Sequence, residues 1–387
     1  MQVTFDKEVL AKASKWVVDI IDQRNDLGTV RMEVKPNGVR FSSMSSYGER
    51  SIRVDADVKD CPDAGESFEL PAQALKKIPS QAYTKTVAFR YDSKKDKTKV
   101  FVNGGVRFGV QLMASANRSV HGPKGMTDIG SLVPADLFNV VRQLSPISDP
   151  NGESTLMQGL SFDVDGKGVI RVMSTDSYVF SVQDIHYDAK DDSKHRFLLS
   201  SADLKGLLDA DDATDVELYV NDNSVLLVFN DGRTARVNQV NDNYANYNYD
   251  SLIFRQRDDE TFTVDRKQLQ KAVSNLSSWN AETDVLLHIA PSTGVIVLSS
   301  EAGDWTMDIP MSDNTLGKPF DLAYNKSVLL KTLRASERDE LRGRFVRDAP
   351  QDAPQLNGIV WDQLKPDGSN DESVYLLSQP VIKDSRY

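Results

Sequence analysis

Phe68-Glu-Leu70-Pro71 followed by Leu75-Lys76-Lys77-Ile78, and Phe197-Leu-Leu199-Ser200 followed by Leu204-Lys205-Gly206-Leu207, are two copies of one pattern. Phe197 lies 129 residues after Phe68, and 129 is one third of the 387-residue chain. In each copy an apolar strand end gives way to apolar residues at helical spacing, the mark of a strand entering a helix. A third copy, Phe320-Asp-Leu322 with Leu330-Lys331-Thr332-Leu333, has three extra residues in its middle and keeps the order. A repeat of this length is a self-sufficient domain, whereas periods of roughly 20–50 residues build solenoids and propellers.

Other pieces recur at compatible offsets. Gly168-Val-Ile170 returns as Gly294-Val-Ile296, and Met44-Ser-Ser46 and Met173-Ser-Thr175 lie 129 residues apart, each ahead of a tyrosine, Tyr47 and Tyr178. Asp6-Lys7 with Leu10, Lys12 and Ala13 matches Asp265-Arg266 with Leu269, Lys271 and Ala272 without a gap, two domain lengths later. The repeats predict an α+β fold of three tandem domains, residues 1–125, 126–257 and 258–387, each running helix, strands, helix, strands. Helices are expected over 6–22, 71–82, 133–145, 200–208, 264–277 and 325–335. Asp6 serves as an N-cap, Pro71 opens a first turn and Pro146 stops the third helix. Strands are expected at Thr29 to Val34, Val39 to Phe41, Val87 to Tyr91, Val216 to Val220, Thr234 to Val237, Val285 to Ile289 and Val295 to Leu298. Polar stretches at Ala114 to Met126 and Phe254 to Glu260 read as linkers.

A hydrophobic content of 40% suffices for ordinary cores, and the longest apolar runs, such as Val225 to Phe229, are strand length. Neither export nor a membrane span is expected, and the single cysteine, Cys61, fits a reducing compartment, so the chain reads as cytoplasmic. No cofactor, metal or catalytic signature emerges. His121, His186, His195 and His288 are scattered, and one cysteine cannot close a zinc site. Asp163-Val-Asp165-Gly-Lys-Gly resembles the start of a calcium loop, but Ser174 stands where the twelfth-position glutamate belongs, so a β-turn is the reading. Gly122-Pro-Lys124-Gly125 lacks the spacing and hydroxyl of a phosphate loop. The chain is not expected to be an enzyme.

Charge is unevenly spread. The six predicted helices carry about +6 between them inside a chain of net charge −11, leaving about −17 elsewhere, with acids crowded into loops such as Asp209 to Asp215 and Glu337 to Glu340. Lys267 and Lys271 are four apart and share one helix face. Basic helix faces suit sequence-blind contact with phosphates, which rewards charge and ignores bases. The candidate phosphate contacts are Lys12, Lys15, Arg24, Lys76, Lys77, Arg142, Lys205, Lys267, Lys271, Lys326, Lys331 and Arg334.

With these residues in view the chain resembles the bacterial type of DNA polymerase sliding clamp, the β clamp. The resemblance covers the whole chain in organisation. Its best local piece runs from Met157-Gln-Gly159-Leu160-Ser-Phe162 through Arg171-Val-Met-Ser-Thr175-Asp176-Ser177-Tyr178, similar to the family's middle-domain strands ending in Thr-Asp-Gly-His-Arg-Leu. Only Thr175 and Asp176 of those six are kept. The resemblance implies that the two helices of each domain pack on antiparallel sheet, and it assigns the candidate phosphate contacts to double-stranded DNA. It implies a homodimer closed head to tail into a six-domain ring around duplex DNA, a replication processivity factor that tethers the DNA polymerase and is served by a clamp loader. It also implies a peptide-binding cleft lined by Met157, Leu160, Thr175, Tyr178 and Phe180, with Pro380, Val381 and Ile382 from the tail. The family's Phe-Pro-Asp-Tyr is represented by Tyr244-Ala-Asn-Tyr247, and the chain runs five residues past Ile382, departures that fit a divergent, accessory-element or phage-encoded member. The rival readings are a tandem β-rich structural or virion protein without DNA encirclement, and an enzyme whose site is assembled from distant residues.

Overall fold

The computed structural model describes all residues except 22–27, 47, 93, 95–96, 115–121, 211, 241–260, 280–283, 301–304, 318, 337, 346–358 and 379–387. The first third contains β1 (Gln2–Asp6), α1 (Lys7–Val18), β2 (Thr29–Lys35), β3 (Gly38–Ser45), β4 (Gly48–Val54), the short β5 (Asp57–Lys59), β6 (Glu66–Pro71), α2 (Ala72–Gln81), β7 (Thr86–Arg90), β8 (Lys99–Asn103) and β9 (Arg107–Gln111). The second contains β10 (Thr127–Leu132), α3 (Pro134–Leu144), β11 (Gly159–Val164), β12 (Val169–Thr175), β13 (Val179–His186), the short β14 (Asp188–Ala189), β15 (His195–Ser200), α4 (Ser201–Lys205), β16 (Val216–Val220), β17 (Ser224–Phe229) and β18 (Arg233–Asn238). The third contains β19 (Thr261–Asp265), α5 (Arg266–Trp279), β20 (Asp284–Ala290), β21 (Val295–Ser300), β22 (Thr306–Ser312), β23 (Phe320–Asn325), α6 (Lys326–Arg334), β24 (Glu340–Phe345), β25 (Ile359–Leu364) and β26 (Asn370–Ser378). One order, strand, helix, four strands, helix, three strands, therefore occurs three times, and β5 and β14 are short additions at the same place.

The chain groups into two compact units. The first holds residues 1–138, 187–192 and 203–239 and the second residues 139–186, 193–202 and 240–387. In the first unit one sheet runs β5-β1-β7-β8-β9 and a nine-stranded sheet runs β14-β10-β16-β17-β18-β4-β3-β2-β6. Within that larger sheet β18 pairs antiparallel with β4, Thr234 opposite Ser51 and Arg236 opposite Glu49. In the second unit a twelve-stranded sheet includes β13 paired antiparallel with β26, Val179 opposite Ser378. The joining rule is the same in both: the last strand of one repeat adds to the fourth strand of the repeat before it. These backbone ladders tie each half of the second repeat to a neighbouring repeat, which is why the compact groupings cut across the thirds of the sequence.

Local sequence explains where the helices start and stop. Asp6 Oδ1 accepts hydrogen bonds from the amides of Glu8 (2.8 Å) and Val9 (3.3 Å), and Asn325 caps α6 in the same way through the Ser327 amide (2.9 Å). Leu10, Ala13, Trp16 and Val17 form the buried stripe of α1. The helix ends at Val18 instead of residue 22, because Ile21 turns to meet Gly28 at a distance where any Cβ on Gly28 would sit 2.2 Å from the Ile21 Cγ2. α4 is likewise only Ser201–Lys205, and Gly206–Ala210 continues as a 3₁₀ turn. A Cβ on Gly206 would lie 2.1 Å from Arg50 Nη2, so any other residue would displace that guanidinium, and the glycine that accommodates it lowers helix propensity. The Asp165 carboxylate accepts from the amides of Lys167 (2.6 Å) and Val169 (3.0 Å), with Gly166 and Gly168 at positive φ, as the turn reading requires.

Inside the first unit, Trp16 is 1% exposed and stands between two buried guanidinium groups. Arg50 Cζ lies 4.9 Å and Arg233 Cζ 5.5 Å from its ring, Phe229 meets it edge-on at 5.8 Å, and its Nε1 donates to Ser51 O at 3.0 Å. Arg233 also donates to Asp209 O (2.8 Å) and to the carboxylates of Asp231 and Asp212. Burial would raise the Asp212 carboxyl, but hydrogen bonds from Lys12 and Arg233 outweigh it and hold the group below the usual range. That contribution is present above the ordinary aspartate pKa and is lost as pH falls through the depressed value.

Candidate functional site

The described basic candidates do not form a bare positive surface. Lys12 is ion-paired with Asp212, Lys15 with Asp209 at 2.7 Å, Lys76 with Asp19 at 3.6 Å, and Lys267 with Asp339 at 2.8 Å. The acidic stretches at 209–212 and 339 therefore fold back onto basic helices; Arg233 pins the first of them through its bond to Asp209 O. The charge segregation along the sequence is therefore partly undone in space, since spacing along the chain says nothing of where a loop returns. Exposed pairs of this kind are weak and screened by solvent, so a phosphate can take the place of the carboxylate. Lys77, Arg142, Lys205, Lys271 and Arg334 are exposed and reach no carboxylate among the described residues, Arg142 bonding only to Asn139 Oδ1 at 3.1 Å. Lys326 is half-buried at the start of α6, and Arg24 lies outside the described residues.

Lys331 is placed differently. Its Nζ donates to Asp176 Oδ2 at 2.6 Å, and Asp176 Oδ1 accepts from the amides of Tyr178 (3.0 Å) and Val179 (2.8 Å). Thr175 Oγ1 accepts from the Ser177 amide (3.1 Å), so the Thr-Asp pair is a side-chain clamp on the β12–β13 turn. Beside this turn Met157 is half-buried, its sulfur 3.7 Å from Ser177 Oγ; Tyr178 is 57% exposed, and Phe180 is buried on β13 next to β26. Leu160 is fully buried opposite Leu199 and belongs to the core, so it is not accessible as the expected cleft wall requires. Pro380, Val381, Ile382 and Tyr244 to Tyr247 lie outside the described residues. The strand leading to the tail is anchored at buried Ser378, which receives Trp361 Nε1 (2.9 Å) and donates to Tyr324 Oη (3.2 Å). Complete burial pushes the Tyr324 phenol far above its ordinary value, so it stays a neutral donor.

Ser177 has φ +75°, the left-handed region that favours glycine. Ser177→Gly should stabilise the second unit by about 1 kcal/mol by removing the Cβ penalty, seen as a higher midpoint in thermal unfolding. An unchanged or lower midpoint would show that the contact with Met157 outweighs the backbone strain.

No protein-family model and no curated protein sequence matches the chain. Solved structures do. The chain is similar to the DNA polymerase sliding clamp from Bacillus subtilis, at 19% identity and TM-score 0.83, over 99% of this chain and 100% of that one. The chain has the sliding-clamp fold. The DNA polymerase III subunit beta from Pseudomonas aeruginosa gives 16% identity and TM-score 0.82, and the clamp from Caulobacter crescentus 17% and 0.81, each over 99% of this chain and 100% of the other. Identity this low with full-length superposition explains why the repeats were legible only as scattered short matches. Two features of this clamp fold escaped sequence reading. Asp209, Asp212 and Asp339 read along the sequence as loop charge and Lys331 as a helix cation, with no local signal of the ion pairs they make.

Proposed function

We propose that this protein is a sliding clamp: two copies close head to tail into a ring around duplex DNA, and the turn at Thr175 to Tyr178 with the tail receives short peptides from a polymerase and a clamp loader. The observation that carries this reading is the repeated joining rule. β18 adds to β4, and β26 adds to β13. The last strand of the first repeat, β9, ends its sheet. The fourth strand of the third repeat, β22, pairs with β19 only at Met311 and Ser312, so its Thr306–Pro310 stretch has one side open among the described residues. A third joint of the same kind, β9 of one copy adding to β22 of a second, follows the same rule, and a two-fold arrangement makes two such joints at once. It also covers strand edges that would otherwise invite aggregation.

The register of that joint follows from the first one. Arg107 holds the place of Thr234, each heading the pairing of a final strand with its predecessor, and Asp308 holds the place of Ser51, each one residue before a buried isoleucine, Ile309 and Ile52. Since Thr234 faces Ser51, Arg107 faces Asp308 of the second copy. Opposite charges meet directly across the joint.

Helix cations supply loose, exchangeable phosphate contacts, so that retention comes from topology and not from affinity. Reversing Lys267 and Lys271 together to glutamate should lower affinity for short linear duplex at low salt by about tenfold or more and flatten its salt dependence, with unchanged thermal unfolding. An unchanged salt slope would place α5 away from DNA and sink this assignment. A tandem β-rich structural protein would show no such slope at all.

A further inference from the structure

The first unit contains a small cavity of about 190 Å³ with a side chain that has no evident structural reason to be there. Arg31, Glu66, Glu69, Tyr91, Lys97 and Met113 line it. Glu69 is 4% exposed, and neither of its carboxylate oxygens has a hydrogen-bond partner. A buried carboxylate without a donor is costly, and such groups are ordinarily paired. Arg31 is opposite Glu69 on β2, but its Nε is turned to Glu33 Oε1 at 3.2 Å. The backbone is not at fault either: Glu69 O already accepts from the Met113 amide at 2.9 Å. In the second repeat the same position, between Phe197 and Leu199, is Leu198, buried and apolar, and in the third it is Asp321, which is exposed and paired with His288, so a buried acid is particular to the first repeat.

The geometry points to a binding site for a guanidinium group, with Glu69 as its counter-ion. Two adjacent orphan acceptors match the paired N–H donors of a guanidinium, and that bidentate match distinguishes it from an ammonium, a point charge. Tyr91, which meets Phe68 edge-on with ring centres 4.6 Å apart, supplies an aromatic wall; Glu66 adds a second acid, and Arg31 and Lys97 bring two cations to the same lining, so the match rests on the paired oxygens of Glu69 and not on net charge. The volume is below the roughly 300–1,000 Å³ of sites for whole small-molecule ligands and suits one side chain. The guanidinium can come from an arginine of a docking polypeptide or from a free small molecule. This inference is independent of DNA encirclement.

The test uses the full chain with ¹³C-carboxyl-labelled glutamate, the Glu69 resonance being assigned by its loss in Glu69→Gln. Nα-acetyl-arginine N-methylamide represents the peptide source and agmatine the free one, and the uncharged isostere Nα-acetyl-citrulline N-methylamide is the control. The expected result is a saturable shift of the Glu69 signal by at least one guanidinium probe, with binding at least tenfold weaker for citrulline and for Glu69→Gln. A lower dissociation constant for the acetylated arginine favours a polypeptide partner, and one for agmatine a free ligand. Glu69→Leu, which copies the second repeat, should fold with a raised melting temperature and show no binding by calorimetry. No saturable shift with either guanidinium probe, or equal binding of citrulline, would leave only water in the cavity and overturn the assignment.

Discussion

Trp16→Ala is expected to unfold the first unit at markedly lower denaturant than the native chain, with a loss of about 4 kcal/mol or more. Truncating a buried tryptophan ordinarily costs about 3–5 kcal/mol through lost transfer energy and the cavity left behind. Here the ring also faces Arg50 and Arg233, which are 3% and 1% exposed, so its removal takes the aromatic face from two buried cations. The Ser51 carbonyl loses its donor as well. Urea titration followed by circular dichroism measures this. A loss below about 1 kcal/mol would mean that Trp16 packs without bearing on the joint between β4 and β18.

Charge reversal at the proposed joint should be as severe for assembly. Arg107→Glu would set two acids directly opposite across each of two symmetric interfaces. At about 2 kcal/mol for each, the dimer dissociation constant rises on the order of 1,000-fold. Asp308→Arg alone should do the same, and the doubly reversed protein should return to within about tenfold of the native value. Sedimentation velocity over a dilution series reads all four proteins. Single variants that dimerise normally, or a double variant that fails to recover, would refute the register in which Arg107 faces Asp308.

How far the sequence could be read depended on whether a feature is local. Asp6 as a cap, the strand-to-helix entry at Phe68 to Ile78, and the Asp165 turn are decided within a few residues, and each is found where periodicity and turn chemistry put it. α1 was read four residues too long because Ile20 and Ile21 extend its apolar stripe, and only the packing of Ile21 against Gly28 ends it. α4 was read too long because its apolar spacing hides the demand that Arg50 makes on Gly206. Of the residues proposed for the cleft, Thr175, Tyr178 and Met157 gather around one turn, but Leu160 is fully buried because a strand residue's side is set by register against β15. Lys331 reaching Asp176, and the acids that return to Lys12, Lys15 and Lys267, are long-range contacts with no local trace. Arg24 and the tail residues Pro380, Val381 and Ile382 lie outside the described residues, so their roles rest on the resemblance alone.

Encirclement is tested most directly by assembling the protein on a nicked circular duplex and following its retention by gel filtration in high salt, before and after a single cut linearises the circle. High salt screens phosphate contacts, so only a ring threaded by DNA stays bound. The expected result is retention on the intact circle and rapid loss from the cut one. Release from the intact circle as salt rises, with no difference after cutting, would contradict a topological link.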